Sequence, residues 1–143
     1  MIEDTVFILK PDAVPHRAAI MEELAARFQI VSLRDFHCDI ALSAKLYPDD
    51  IGRPIFRGIC EYMAEAPCTV GVLRGDDAIA QFFALAGRAA YPDQCAPESL
   101  RFRYGAREQR TPSGIVVVKN AVHRPKNAAE RDRDLAVLAA FIA

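Results

Sequence analysis

Residues 5–10 (TVFILK) form an unbroken apolar run of β-forming side chains that stops at a lysine, the pattern of a strand covered on both faces. The period then changes. Ile20, Leu24 and Phe28 recur at i, i+4, i+8, which gathers them on one helical face and leaves Glu22, Glu23 and Arg27 elsewhere. Residues 30–41 (IVSLRDFHCDIA) alternate as a second strand, and 54–65 (PIFRGICEYMAE) open with a proline suited to a first helical turn. CTVGVL at 68–73 repeats the buried-strand signal. Gly75, Asp76 and Asp77 cap a further helix that runs to about Leu85, and Gly87 stands where a C-terminal glycine belongs. From Arg88 to Gly114 the chain reads as loop, with Pro92, Pro97 and Pro112. IVVV at 115–118 is the expected fourth strand, and 127–142 the closing helix, with Leu135, Leu138 and Ile142 inward.

This order predicts the α+β class: a ferredoxin-like sandwich, in which a four-stranded antiparallel sheet has helices packed on one face. No repeat, low-complexity tract or linker interrupts the chain, so residues 1–143 are read as a single domain. With 18 basic and 19 acidic residues the chain has no basic excess, and no nucleic-acid partner is expected. No apolar run approaches the roughly 18 residues of a membrane span, so a cytoplasmic protein without a membrane partner is expected. Cys38, Cys60, Cys68 and Cys95 lie at no metal-ligand spacing and read as core residues in a reducing compartment; no protein metal site is expected.

The candidate chemistry sits at strand ends. Lys10 closes the first strand, Asn120 and His123 follow the fourth, Arg101 lies in the long loop and Tyr47 after the second strand. A lysine, an arginine, a tyrosine and a neutral imidazole are the parts needed to hold a polyphosphate and accept a phosphoryl group, because that transfer rests on charge neutralisation and in-line positioning. Taken singly, His123 and Lys10 also fit solvated side chains at strand ends, and His16 and His37, in turn and strand settings, are read as structural.

Motifs in series carry more weight. KPDAV (10–14), Tyr47, RPIFRGICEYM (53–63), APCTVGVLRG (66–75), SLR (99–101) and KNAVH (119–123) follow the order and spacing of the nucleoside diphosphate kinases, and nearly the whole chain resembles that family. The resemblance implies a ferredoxin-like fold and transfer of the terminal phosphoryl group from a nucleoside triphosphate to a nucleoside diphosphate by a ping-pong route through a phosphohistidine. It also implies Mg²⁺ bound with the nucleotide, nucleoside di- and triphosphates as partners, and a homo-oligomer. It sets the nucleophile at His123, phosphate and ribose contacts at Lys10, Tyr47, Arg101 and Asn120, and base contacts at Ile55 and Ile59. The carboxylate that supports the histidine falls at Asp134, with Asp132 as a stand-in.

Departures from the family pattern are also visible. Ala13 replaces a glycine, and Ile55 replaces the phenylalanine that stacks on the base. Phe83 and Ala89 stand where a phosphate-binding arginine and a threonine belong, with Arg88, Arg103 or Arg107 as candidate replacements. Arg124, Pro125 and Lys126 replace the Gly-Ser-Asp that follows the histidine. Asp134 is one methylene shorter than the family's glutamate and is expected to reach the ring through water. About nine extra residues fall within 105–114 (GAREQRTPSG), read as a surface loop whose Arg107 or Arg110 closes over the nucleotide. These losses predict turnover lowered ~10- to 1,000-fold. The alternative is a catalytically weak or inactive nucleotide-binding or interaction module on the same scaffold.

Overall fold

The structure, a computed structural model, describes residues 1–142. In chain order the elements are β1 (Ile2–Leu9), α1 (Arg17–Arg27), β2 (Gln29–Phe36), α2 (Ile40–Leu46), α3 (Pro54–Met63), β3 (Cys68–Asp76), α4 (Ala78–Ala86), α5 (Leu100–Tyr104), β4 (Arg107–Arg110), β5 (Val116–Lys119), β6 (Val122–His123), α6 (Ala128–Val137) and α7 (Ala139–Ile142).

β1 and β3 are the inner strands of a four-stranded antiparallel sheet of order β2-β3-β1-β6. Because successive side chains of a strand point to opposite faces, the fully buried run Val6, Phe7, Ile8 and Leu9 feeds two cores. Phe7 and Leu9 pack with Ile20 and Leu24 of α1, Phe82 and Leu85 of α4, and Leu100 of α5. Val6 and Ile8 pack with Leu42 and Leu46 of α2, Tyr62 and Met63 of α3, and Leu138. Helices therefore cover both faces rather than one, as an apolar strand without polar alternation requires.

The predicted fourth strand is corrected. Residues 115–118 fall mainly in β5, which leaves the sheet and pairs antiparallel with β4, Arg107 opposite Lys119 and Arg110 opposite Val116. The sheet position beside β1 goes to the two-residue β6, with His123 opposite Ile8. The stretch read as loop thus holds one arm of a hairpin and also α5, whose N-cap Ser99 accepts the Phe102 N–H. Residues 30–41 are not one strand: β2 ends at Phe36, and Asp39 caps α2 by accepting the Leu42 N–H at 2.8 Å. The strand β3 runs on to Asp76, and Asp77, at φ +47°, starts α4 without a side-chain cap bond. Gly87 ends α4 at φ +124°, as expected, and the closing helix breaks at Leu138 into α6 and α7.

One close approach shapes the space above the sheet. Where α3 crosses β5, a Cβ on Gly58 would lie 2.6 Å from Ile115 Cγ2 and 2.8 Å from Val117 Cγ1, so only glycine lets the helix rest on the hairpin.

Candidate active site

Between β5 and β6 the backbone makes a turn that nothing in the sequence announced. Val122 N–H donates to the Asn120 carbonyl at 2.7 Å across Ala121, which sits at φ +68°. A γ-turn of this hand is rare and strained for a residue with a Cβ. Asp12 holds it: Oδ2 accepts the Ala121 N–H at 3.0 Å and the Ala106 N–H at 3.1 Å, while Oδ1 accepts the Tyr62 hydroxyl at 2.5 Å. Lys10 N–H donates to the Ala121 carbonyl at 2.8 Å. One carboxylate thus ties the end of β1, the root of the hairpin and α3 to the turn that delivers His123. Asp12 and Tyr62 were missed as positioning residues because their partners lie 50 to 109 positions away.

His123 is mostly buried, and its Nε2 lies 2.8 Å from Asp134 Oδ2. A carboxylate only accepts, so Nε2 carries the proton and Nδ1 keeps its lone pair. Burial lowers the His123 pKa, an effect that the Asp134 hydrogen bond and charge oppose and that the Lys10 and Arg101 cations reinforce. The ring is therefore neutral near pH 7. Asp134 is held at 1% exposure on α6, whose N-cap Asn127 accepts the Glu130 N–H. The expected water-mediated reach is corrected: the shorter side chain contacts the ring directly. Asp132 is corrected as well, since it is exposed and paired with Arg131 at 2.6 Å.

Two cations lie within electrostatic reach of the ring. Lys10 is 6% exposed, donates to Asn120 Oδ1 at 2.8 Å, and lies over the rings of Tyr47 and Tyr62. Burial, with the Arg101 charge next, brings its pKa down to about 7. Arg101, 4% exposed on α5, donates to the Val122 carbonyl through Nε and Nη2 and to the Ala89 carbonyl through Nη1. Burial lowers it to about 10. Two of a guanidinium's five N–H groups remain free after those bonds. Neither cation has a carboxylate within salt-bridge distance among the described residues.

A cavity of about 460 Å³ is lined by Lys10, Tyr47, Asn120, Ile55, Ile59 and Val117, with Glu108 reaching it from the hairpin. Five predicted contact residues thus share one cleft. His123 and Arg101 do not line it; the imidazole stands beyond Tyr47, the two rings edge to face with centroids 6.2 Å apart. Burial raises the Tyr47 pKa, so its hydroxyl stays protonated and able to donate.

The expected replacement arginines are otherwise engaged. Arg103 makes two bonds to Glu23, Arg107 pairs with Asp93 at 2.6 Å, and Arg110 donates to Gly114 within its own turn. The hairpin brings the acidic Glu108 to the cleft instead of an arginine. Arg124 lies 4.4 Å over the Phe83 ring, a contact that the sequence reading did not foresee.

A neutral imidazole oriented by a carboxylate, with two buried cations in electrostatic reach on an antiparallel α+β scaffold, has the parts of a phosphotransferase. The comparisons agree. The family model for nucleoside diphosphate kinase matches residues 3–140. The nucleoside diphosphate kinase of Desulfovibrio desulfuricans is 39% identical over 110 residues, 73% of this chain and 77% of that protein. That of Thermococcus kodakarensis is 37% identical over 109 residues, 73% of this chain but 61% of its own length. Among solved structures, the Aquifex aeolicus enzyme aligns with TM-score 0.78 at 26% identity over 100% of both chains. The Halobacterium salinarum enzyme, solved with CDP, aligns with TM-score 0.79 over 96% of this chain and 87% of that one; at 23% identity this bears on the fold. The chain belongs to the nucleoside diphosphate kinase family. No helix among the described residues is long and apolar enough to cross a membrane.

Proposed function

We propose that the protein moves the terminal phosphoryl group of a nucleoside triphosphate to a nucleoside diphosphate through a phosphorylated His123. One observation carries this reading. Lys10 and Arg101 are buried without a carboxylate partner among the described residues, within electrostatic reach of a neutral histidine whose far nitrogen is fixed by Asp134. An unpaired buried charge costs several kcal/mol, and a polyphosphate is the ligand that offsets two of them.

In the first half-reaction the Nδ1 lone pair attacks the γ-phosphorus, an N–P bond forms, the bond to the β,γ-bridging oxygen breaks, and the diphosphate leaves. The ring gains positive charge, which Asp134 stabilises at Nε2 across 2.8 Å. Lys10 and Arg101 neutralise charge on the transferred oxygens, while Tyr47 and Asn120 orient phosphate and ribose. The second half-reaction is the reverse, with a terminal oxygen of another diphosphate attacking the phosphohistidine. Mg²⁺ enters on the nucleotide's phosphates as part of the substrate. Ile55, Ile59 and Val117 offer the base an aliphatic slot, which buries it without aromatic stacking worth about 0.5–1.5 kcal/mol. That loss, together with the arginine and the threonine missing at positions 83 and 89, supports a turnover below that of fuller sites. The same reading has the chain working in the cytoplasm as a homo-oligomer, supported by Val31 and Leu33 at 42% exposure on the sheet-edge strand β2.

Incubation with γ-labelled Mg²⁺-ATP tests the mechanism. An acid-labile, base-stable label is expected on the wild type, absent from His123→Ala and discharged by GDP. Label that persists in His123→Ala removes the histidine from the reaction. Nucleotide binding without any label leaves a binding module on the family scaffold.

A further inference from the structure

We propose that Arg124 is a phosphate-binding residue of the cleft, its guanidinium held ready on the face of Phe83. The proposal rests on the reading of this cleft as a nucleotide site. Arg124 follows His123 directly at the end of β6, and its guanidinium carbon lies 4.4 Å from the centroid of the Phe83 ring on α4. Nε donates to the Gly87 carbonyl and Nη2 to the Arg88 carbonyl, each at 3.1 Å. These bonds and the ring fix the plane of the fork while leaving three of its five N–H groups free. No carboxylate lies within salt-bridge distance of Arg124 among the described residues, although nine other arginines of the chain have one.

The charge is felt by the right neighbours. Arg124 is half-buried and near enough to Lys10 and Arg101 to depress the pKa of both, so three cations without an ion-pair partner among the described residues lie within electrostatic reach of one another. A guanidinium restricted by stacking loses less freedom on gripping a phosphate than a mobile lysine does. The arrangement also accounts for Phe83, an aromatic on the helix face next to the site: it serves as the platform for the cation supplied by β6. Arg88, 5.6 Å from the same ring but exposed, is the weaker candidate.

The test separates phosphate grip from loop bracing and from the kinase reading. Affinities of Mg²⁺-ADP, pyrophosphate and adenosine are measured by calorimetry for wild type, Arg124→Ala and Arg124→Gln, with Arg110→Ala as the control. Arg124→Ala is expected to weaken ADP and pyrophosphate about 10- to 100-fold, the scale of one charge-assisted contact. It should leave adenosine within twofold and flatten the salt dependence of ADP binding. Arg124→Gln keeps two loop bonds within reach and should show the same loss if the alanine variant fails to fold. Wild-type affinity for ADP and pyrophosphate in either folded variant overturns the proposal, whatever happens to the melting temperature, and so does an equal loss for adenosine. Absence of label on wild-type His123 would sink the kinase reading, while an Arg124-dependent grip on pyrophosphate would still stand.

Discussion

Nucleotide binding should consume a proton, and Lys10 is the group that takes it. Its pKa in the empty protein is about 7, held down first by burial and then by the Arg101 charge. At pH 7 half of the molecules carry the ammonium, and at pH 8.5 about one in thirty does. Phosphates replace the missing counter-charge and raise the pKa in the complex, so only the protonated lysine binds well. Apparent affinity for Mg²⁺-ADP therefore falls about 15-fold from pH 7 to 8.5, and binding at pH 8 takes up about 0.9 proton per site. Stability has the matching sign. Lys10 is depressed below its ordinary 10.5, so the unfolded chain binds more protons between pH 7 and 10.5 and the empty protein gains stability as pH rises through that window. Calorimetry at pH 8 in two buffers of different ionisation enthalpy measures the uptake directly. Lys10→Arg, permanently charged, should abolish both the proton uptake and the pH slope. Buffer-independent heats together with flat affinity between pH 7 and 8.5 would refute the reasoning.

Two other outcomes follow from the positioning residues. Asp134→Asn replaces a charge-assisted bond by a neutral one, a difference of about 1–1.5 kcal/mol, and should slow His123 phosphorylation about tenfold or more in a single-turnover assay. Because Asp134 holds the His123 pKa up against burial, its loss also moves the acid limb of the pH–rate profile to lower pH, whereas Asp132→Ala leaves both unchanged. Asp12→Ala removes the acceptor of three hydrogen bonds around a strained turn and should cost about 3 kcal/mol in denaturant melts, with Asp12→Asn retaining part of it.

The sequence made much of this legible where the signal was local. The buried runs of β1 and β3, the face of α1 and the glycine that ends α4 were read from periodicity and turn chemistry alone. The motif series brought Lys10, Tyr47, Ile55, Ile59 and Asn120 to one cleft. What failed was non-local. IVVV looks like a sheet strand by composition, yet its partner is the charged segment REQR, whose strand character comes only from pairing. The two residues of β6 are too few to show a period. A helix as short as α2 carries little signal beyond its cap, and the preceding alternation masked it. Asp132 and Asp134 are indistinguishable by composition, and the direction each faces on α6 decides which one meets the histidine. The cation over Phe83 was hidden for the same reason, since a ring on α4 and an arginine after β6 meet only in three dimensions.

These long-range meetings also explain how the molecule tolerates a cationic site when empty. Arg101, Arg124 and Lys10 would repel one another if all were charged in a buried setting, and no ion-pair partner among the described residues offsets them. Lysine is the one that yields, because an ammonium deprotonates within reach of neutral pH while a guanidinium does not. At about 7, Lys10 spends half its time uncharged, its nitrogen resting against Asn120 and two tyrosine rings. Under the proposed function a polyphosphate would reverse the balance: it would bring negative charge, recruit the proton, and convert a half-neutral pocket into a fully cationic one at the moment that transferred charge must be stabilised. Exchanging Lys10 for a permanent cation would keep the contact but lose the relief, which is why burial of this lysine belongs to the design of the site as much as its position beside His123 does.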